Sequence, residues 1–316
     1  MKAVYINEFG GREKLIYSED FPKPEVQEGE VLVRINAAGV NPVDYKIREG
    51  IRKHLGQAFP LILGWDMAGI VEDRGFGARR FKIGDKVIAY ARRPVVEKGT
   101  YAEYIAIPEC YLASKPVLLS FEEAASLPLT GLTAYQALYE KANMKPGQWV
   151  LILGASGGVG SMAVQLAKIG GAKVAALAGA SNQEYLKSLG ADQVFDYSDS
   201  DWASKFNTLI PEKASIVFDC VGKDTILKSY SCVKPGGMIV SITSQPNEEL
   251  LSANKITFQF HFVEPNSLHL EYLSSLVDKG QLKIHVNTVF PLNEVVKAHE
   301  LMESEHTRGK IVLVIP

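Results

Sequence analysis

A glycine-rich turn between an expected strand and an expected helix is the segment whose chemistry the sequence indicates most directly. The apolar run 149–153 is typical of a strand buried on both faces of a parallel sheet. The alanine-first pattern Ala155-x-Gly157-x-x-Gly160 follows, and then apolar positions at helical spacing. Glycines let the backbone approach a phosphate, and a helix start offers unpaired N–H groups and a positive dipole end. This predicts a dinucleotide site, with a plain structural turn as the alternative. The pyrophosphate would lie on the backbone of Ser156, Gly157, Gly158 and Val159.

The end of the next expected strand, 173–177, bears on which dinucleotide is bound. The segment 178–182 (AGASN) carries no Asp or Glu. A carboxylate there would bind the ribose 2′-OH of NAD and repel the 2′-phosphate of NADP. We therefore expect NADPH, with donors for the phosphate at Ser181, Asn182 and Tyr197. The alternative is that these three are ordinary polar groups of loops.

Composition limits the class of protein. The 316 residues suggest about two domains, and the formal net charge of −2 gives no electrostatic footprint for nucleic acid or an anionic membrane. No apolar run is long enough to span a bilayer, and the start of the chain is typical of a strand rather than a signal peptide. We expect a cytoplasmic protein with a small-molecule substrate and with neither nucleic acid nor membrane as a partner.

Two patterns of elements divide the chain. The first 120 or so residues are mainly short strands and turns, and strands and helices alternate from Gly147 onward, which is typical of a doubly wound parallel sheet. Strands are expected near 149–153, 173–177, 193–195, 215–218, 238–242 and 256–260, with a last strand at 310–315. Helices are expected at 122–127, 133–141, 223–232, 268–279 and 292–303. Pro128 and Gly131 would separate the first two helices, and the turn 234–237 would end the third.

Short motifs occur in a characteristic order along the chain. They lie at 41–44 (NPVD), 63–69 (LGWDMAG), 84–87 (GDKV), 125–134 (ASLPLTGLTA), 189–192 (LGAD), 219–222 (DCVG), 235–237 (PGG) and 309–313 (GKIVL). Together they resemble the zinc-independent quinone oxidoreductase branch of the medium-chain dehydrogenase/reductase family over essentially the whole chain. The resemblance implies an α/β fold with a β-rich, GroES-like catalytic domain over 1–120, completed by 265–316. A Rossmann domain with a doubly wound parallel sheet would cover 121–264.

The positions of zinc ligands in related dehydrogenases are occupied differently here. Zinc alcohol dehydrogenases of this family have a Cys near Asn41 and a Gly-His-Glu at 64–66, where this chain has Gly-Trp-Asp. Zinc sites need clustered ligands, but there is no Cys-x-x-Cys and the histidines are dispersed, at 54, 261, 269, 285, 299 and 306. We expect no metal site. Without a Lewis acid, acceptors that are already activated, such as quinones and enones, are favoured over simple alcohols.

The resemblance also implies residues that would contact the cofactor. Thr130 would lie near the nicotinamide, and Tyr197 would meet the 2′-phosphate. A lysine that often stands near Asn182 in quinone oxidoreductases is absent. The ribose and ring would be lined by Val221, Gly222, Thr243 and Ser244, and Phe262 and Lys310 complete the expected cofactor set. Phe260, His261 and Phe262 would wall the substrate side, with packing in a core or dimer contact as the alternative.

The segment 41–46 is the expected source of catalytic groups. Negative charge appears on the carbonyl oxygen when hydride reaches an enone, and a donor fixed there is the largest available catalytic contribution. Lys46 matches a lysine of plant-type enone reductases, Tyr45 is a candidate proton donor or stacking surface, and Asn41 is a candidate orienting amide. A solvated Lys46 is the alternative.

The function expected from these features is NADPH-dependent reduction of quinones or α,β-unsaturated carbonyls without zinc. The alternatives are an NADPH-binding sensor or scaffold with little turnover, and a zinc-free aldehyde or ketone reductase. A homodimer is expected by resemblance, with the strand near 256–260 pairing across a twofold axis.

Overall fold

The computed structural model describes residues 1–51, 56–305 and 307–316, so His54 and His306 lie outside the described residues. The chain forms two compact units. Unit 1 comprises Met1–Leu129, Glu264–Gly280 and Ile284–Pro316, and unit 2 comprises Thr130–Val263 and Gln281–Lys283. The helix over Phe121–Ala125, which we assigned to the second domain, packs against strands of unit 1. The domain division drawn from the family resemblance stays a prediction.

The elements are numbered in chain order. The strands are β1 Ala3–Ile6, β2 Ile16–Ser18, β3 Glu30–Val40, β4 Gln57–Ile62, β5 Asp66–Arg74, β6 Lys86–Tyr90, β7 Val96–Lys98, β8 Tyr104–Pro108, β9 Leu112–Ser114, β10 Trp149–Leu153, β11 Lys173–Ala178, β12 Gln193–Asp196, β13 Ala214–Asp219, β14 Val233–Ser241, β15 Thr257–Phe260, β16 Val286–Pro291 and β17 Lys310–Val314. The α-helices are α1 Pro42–Arg48, α2 Phe121–Ala125, α3 Pro128–Tyr135, α4 Gly158–Ile169, α5 Gln183–Ser188, α6 Trp202–Leu209, α7 Lys223–Ser229, α8 Glu248–Asn254, α9 Ser267–Asp278 and α10 Val295–Glu303.

Unit 2 is built on a six-stranded parallel sheet. The strand order is β12-β11-β10-β13-β14-β15, so the direction of winding reverses between β10 and β13. The central strands β10, β11 and β13 are buried along nearly their whole length, as expected of strands covered by helices on both faces. This is the doubly wound Rossmann arrangement, in which ligands bind at the carboxyl ends of the strands beside the reversal. The predicted alternation and all six expected strands are confirmed.

Unit 1 is β-rich, and its two ends in sequence meet in one sheet. The strands β16, β17, β3, β5, β6 and β9 lie side by side in that order, and β8 also pairs with β3. The chain's last strand, β17, runs antiparallel to β3, with Ile311 opposite Val40. The long strands β3 and β5 pair antiparallel, with Gly39 opposite Asp66. These registers bring the start of β17, the end of β3 and the start of β5 together. A smaller sheet holds β2, β1, β4 and β7. In the described ranges, no helix combines the length and apolar character needed to cross a bilayer.

Two predicted helix boundaries were wrong. Pro128 does not separate two helices but begins α3, which continues through Gly131 and is followed by a π-helix over Gln136–Lys141. Proline is tolerated in a first helical turn because its missing N–H would have no partner there. The predicted helix 223–232 ends at Ser229, and a 3-10 turn follows. The turn residues 234–237 belong to the irregular start of β14, where Gly236 has φ +77°.

Trp202 provides a test of the core of unit 2. Its side chain is 1% exposed at the start of α6 and belongs to the same buried cluster as Phe195 and Phe206. We expect Trp202→Ala to lower the free energy of unfolding by about 3–5 kcal/mol through lost burial and cavity formation, measured by urea denaturation. Leu209 ends the same helix and is 61% exposed. The control Leu209→Ala should change stability by less than about 0.5 kcal/mol. Equal losses for the two variants would contradict this core assignment.

Candidate functional site

The glycine turn of unit 2 has a backbone geometry that leaves no room for a Cβ atom at Gly154 or Gly160. Gly154 follows β10 with φ +73°, and Gly157 precedes the first residue of α4. A Cβ at Gly160 would lie 2.2 Å from the Gly154 carbonyl oxygen, so the helix can approach the turn this closely only with glycine there. The predicted phosphate-binding residues 156–159 thus lie at the start of a twelve-residue helix. The orphan N–H groups of such a helix start fit a pyrophosphate.

The predicted contacts to the 2′-phosphate lie at the ends of two neighbouring strands. Ser181 and Asn182 belong to a 3-10 turn after β11, and Tyr197 follows β12 with an exposed side chain. A Cβ on Gly179 would lie 3.4 Å from the Tyr197 ring, so the two strand ends adjoin. Asp196 lies on the same edge, and its carboxylate accepts a hydrogen bond from the Ser198 backbone N–H. The turn after β11 itself carries hydroxyl and amide groups, as a 2′-phosphate would require.

The residues predicted to line the nicotinamide and its ribose are held by a carboxylate that sequence reasoning missed. Asp219 ends β13 and is completely buried. Its Oδ1 accepts hydrogen bonds from the backbone N–H groups of Val221 at 3.1 Å and Gly222 at 2.7 Å. Its Oδ2 accepts from the hydroxyls of Ser241, Thr243 and Ser244, at 2.6, 2.9 and 3.1 Å. The signal available in the sequence was a carboxylate at the end of an apolar strand, since such a group must be hydrogen-bonded when buried.

The remaining predicted residues of unit 2 come from separate parts of the chain and differ in their surroundings. Thr130 is buried in the first turn of α3, and Phe262 is half-buried two residues after β15. Val221 packs on the glycine turn, because a Cβ at Gly154 would lie 2.2 Å from its Cγ2. His261 is buried, and neither ring nitrogen has a hydrogen-bond partner within the described residues. Burial and then the charge of Lys141 lower the pKa of His261 to about 4, which keeps its imidazole neutral near pH 7.

A buried polar network in unit 1 contains two of the predicted residues. The Lys310 ammonium donates to the Val40 carbonyl at 2.7 Å and to Asn41 Oδ1 at 2.5 Å, and it lies 3.5 Å from Asp66 Oδ2. The Asn41 amide N–H donates to the same Asp66 oxygen at 2.9 Å. Asp66 Oδ1 accepts from the Leu129 backbone N–H at 2.8 Å. Burial raises the pKa of Asp66 and lowers that of Lys310, and the attraction between the two charges opposes both shifts. The predicted contact of Lys310 with the cofactor stays a prediction.

The helix α1, which carries Tyr45 and Lys46, is anchored at both ends. At its start, Asp44 Oδ2 accepts from the Asn41 backbone N–H and from the Tyr101 hydroxyl, each at 2.8 Å. Tyr45 and Lys46 are half-buried, with the Lys46 ammonium 5.9 Å from the Tyr45 ring centroid. The start of α1 is therefore fixed by buried groups, while these two side chains keep partial access to solvent.

At the end of α1, the Arg48 guanidinium is almost completely buried. It donates to Glu49 and Glu303, to the Gly10 carbonyl and to Nδ1 of His299. The buried imidazole of His299 is neutral, because burial first and then the charge of Arg48 lower its pKa to about 3. This second anchor ties the end of α1 to α10.

The residues at the zinc-ligand positions do not fit zinc. Across 1–51, 56–305 and 307–316, no group of three or more His, Cys, Asp or Glu side chains could hold a metal ion. At the positions compared above, Asn41 stands in place of the Cys, Trp65 in place of the His and Asp66 in place of the Glu. The amide of Asn41 and the carboxylate of Asp66 instead bind the ammonium of Lys310. The positive charge next to the Asn41 and Asp66 side-chain oxygens is thus supplied by Lys310.

Comparison with known proteins agrees with this architecture. The model of the alcohol dehydrogenase GroES-like domain matches residues 27–117, and that of the zinc-binding dehydrogenase family matches 189–313. The chain is 36% identical to a 2-methylene-furan-3-one reductase of Solanum lycopersicum, over 99% of this chain and 79% of that protein. The structure of the quinone oxidoreductase from Coxiella burnetii has a TM-score of 0.90 at 36% identity, covering 100% of this chain and 99% of that one. The Escherichia coli quinone oxidoreductase complexed with NADPH has a TM-score of 0.89 at 29% identity, covering 99% and 100%. This chain belongs to the quinone oxidoreductase branch of the medium-chain dehydrogenase/reductase family.

Asp44 makes the stability of unit 1 depend on pH in a defined direction. Burial raises the pKa of Asp44 from 3.8 to about 7, although its hydrogen bonds and the charge of Lys310 oppose the shift. Between about pH 4 and pH 7 the folded protein keeps a proton that the unfolded chain releases, so this group lowers stability as the pH rises through that window. Asp44→Asn removes the titration. We expect its free energy of unfolding, relative to that of the original protein, to rise from pH 4 to pH 7 and then to level off.

Urea denaturation at a series of pH values measures this difference. Asp73 is an exposed carboxylate of the same unit, and Asp73→Asn serves as the control. A difference curve for Asp44→Asn as flat as that for Asp73→Asn would show that Asp44 does not titrate as proposed.

Proposed function

We propose that this protein is an NADPH-dependent reductase of quinones or α,β-unsaturated carbonyls that works without zinc. The observation that carries the proposal is the carboxyl edge of unit 2. There, a glycine turn at the start of α4 adjoins a strand end with Ser181 and Asn182, and no carboxylate interrupts the turn 178–182. The names of the relatives support the acceptor class, and the related structure with NADPH supports the cofactor.

Each part of the proposed cofactor site has a separate task. Residues Ser156, Gly157, Gly158 and Val159 would hold the pyrophosphate through backbone N–H groups. The 2′-phosphate would be held by Ser181, Asn182 and Tyr197. Thr130, Val221, Gly222, Thr243, Ser244 and Phe262 would enclose the ribose and the ring. NADPH, when bound, supplies the hydride, and the protein contributes binding, orientation and electrostatics.

Electrostatic stabilisation of the acceptor would come from α1. A carbonyl oxygen that gains negative charge needs a donor or cation that is already in position. Lys46 provides a compact positive charge on a helix whose ends are both anchored, and Tyr45 provides a neighbouring hydroxyl. Asn41 would act by orienting the helix, since both ends of its amide are bonded inside the buried network. Solvent would supply the final proton.

Acceptor choice follows from the chemistry at the zinc-ligand positions. With the Lys310 ammonium bound by Asn41 and Asp66, we propose that no Lewis acid polarises an unactivated carbonyl. Quinones and enones need no such activation. A homodimer formed through β15, which lies at the edge of the sheet of unit 2, is part of the proposal. Location in the cytoplasm stays a prediction.

The proposed reaction is tested by initial rates of NADPH oxidation, with NADH in parallel, against four acceptors. These are an ortho-quinone, a para-quinone, a 2-alkenal and a saturated aldehyde. We expect turnover of the three conjugated acceptors, faster with NADPH than with NADH, and unchanged rates after dialysis against a chelator. The saturated aldehyde serves as the matched control for conjugation.

Each other result selects a different function. Clear NADPH binding without turnover of any acceptor would favour a sensor or scaffold. Reduction of the saturated aldehyde at a similar rate would favour an aldehyde or ketone reductase. Loss of activity with the chelator would overturn the zinc-free mechanism.

Lys46 is tested by Lys46→Ala with the same enone and NADPH. We expect kcat to fall about 10-fold to 100-fold, because charge developing on the acceptor oxygen loses its cation, while the Kd of NADPH changes less than about twofold. Lys98 is an exposed lysine of the same unit, paired only loosely with Glu97 at 3.6 Å, and Lys98→Ala is the control. An unchanged kcat across several enones would remove Lys46 from the mechanism.

A further inference from the structure

The carboxylate of Asp219 joins two loops that are separate in sequence. The loop after β13 donates two backbone N–H groups to Oδ1. Ser241 at the end of β14 and the loop that follows it donate three hydroxyls to Oδ2. All five donors are neutral. No ion pair in the described part of the chain involves Asp219, although its side chain is completely buried. The charge is therefore compensated only while both loops keep this conformation.

Ser241 connects Asp219 to the backbone of the second loop through hydrogen bonds. Its hydroxyl oxygen accepts from the backbone N–H groups of Thr243 at 3.1 Å and Ser244 at 2.9 Å, and its hydrogen goes to Asp219 at 2.6 Å. Because both lone pairs of this oxygen are already used, Ser241 can only donate to residue 219. An aspartate can accept this hydrogen bond. An amide N–H in the same place could not bond to the Ser241 hydroxyl, because the hydroxyl oxygen has no lone pair left to accept it.

The first loop is fitted closely to the second. Gly222 has φ +78°, and a Cβ there would lie 2.8 Å from the Ser244 hydroxyl and 3.0 Å from that of Thr243. The two loops thus lie against each other where both bind the Asp219 carboxylate. A shift of either loop would therefore alter its contact with the other.

We propose that Asp219 is a positioning residue for the nicotinamide half of the cofactor. Its hydrogen bonds to both loops set the positions of four residues, namely Val221, Gly222, Thr243 and Ser244. This inference rests on the proposed function, because those four residues line the ribose and ring only if the protein binds NADPH. The adenine half, at the glycine turn and the strand ends of β11 and β12, is held by other groups and should not depend on Asp219.

The test compares two ligands by titration calorimetry on the full chain. NADPH reports on both halves of the site, and adenosine 2′,5′-bisphosphate reports on the adenine half alone. For Asp219→Asn we expect the Kd of NADPH to rise about 10-fold or more, since buried donors lose their acceptor, while the Kd of the bisphosphate changes less than about twofold. Ser241→Ala should give the same selective loss, and it decides the question if Asp219→Asn does not fold.

Asp192→Asn is the matched control. Asp192 is a carboxylate of unit 2 that precedes β12 and bonds to Lys168 and to the Val174 N–H, away from the carboxyl edge. This variant should leave both Kd values unchanged. Equal weakening of both ligands in Asp219→Asn and Ser241→Ala would show a general structural role and overturn the inference, as would unchanged binding of both. If the unaltered protein does not bind NADPH, the proposed function fails first and the inference falls with it.

Discussion

The buried ammonium of Lys310 determines how unit 1 is assembled. Its partners, the Val40 carbonyl, Asn41 and Asp66, lie 244 to 270 residues earlier in the chain. A buried charge costs several kcal/mol unless its hydrogen-bonding groups are all satisfied. The paired position of β17 is therefore stable only together with β3, β5 and the start of α1, which supply these partners. The sheet of unit 1 and the position of α1 both depend on this one group.

Unit 2 uses a buried charge of opposite sign for a different purpose. In unit 1 a cation is bound partly by a carboxylate, and the pair links strands within a sheet. In unit 2 the Asp219 carboxylate is bound by neutral donors alone, and these donors belong to the end of β14 and to two loops at the carboxyl edge. Loops are ordinarily the least ordered parts of a fold. A buried charge that requires their donors keeps them in one arrangement before a ligand arrives, and such preorganisation reduces the ordering cost of binding.

The parts of the fold that were predictable are those set by local patterns. The strand–glycine turn–helix segment and the alternation of elements follow from spacing within about twenty residues, and the structure has them as expected. Pro128 was misjudged because the same residue either ends a helix or begins one, and only the surrounding contacts decide. The partners of Lys310 and Asp219 lie too far along the chain to be found from spacing. Asp219 and Asp66 were visible in motifs, but their function as hydrogen-bond centres appears only when the strands are paired.

The burial of Asn41 limits what it can contribute to catalysis. Its carbonyl oxygen is bonded to Lys310 and its amide nitrogen to Asp66, and the side chain is 2% exposed. An amide buried in this way cannot contact an acceptor molecule directly, so any effect it has on the reaction passes through the helix that begins beside it. The half-buried Tyr45 and Lys46 keep the exposure that contact with a substrate requires. The segment 41–46 thus divides into a buried part that fixes geometry and a more exposed part that would act on the acceptor in the proposed reaction.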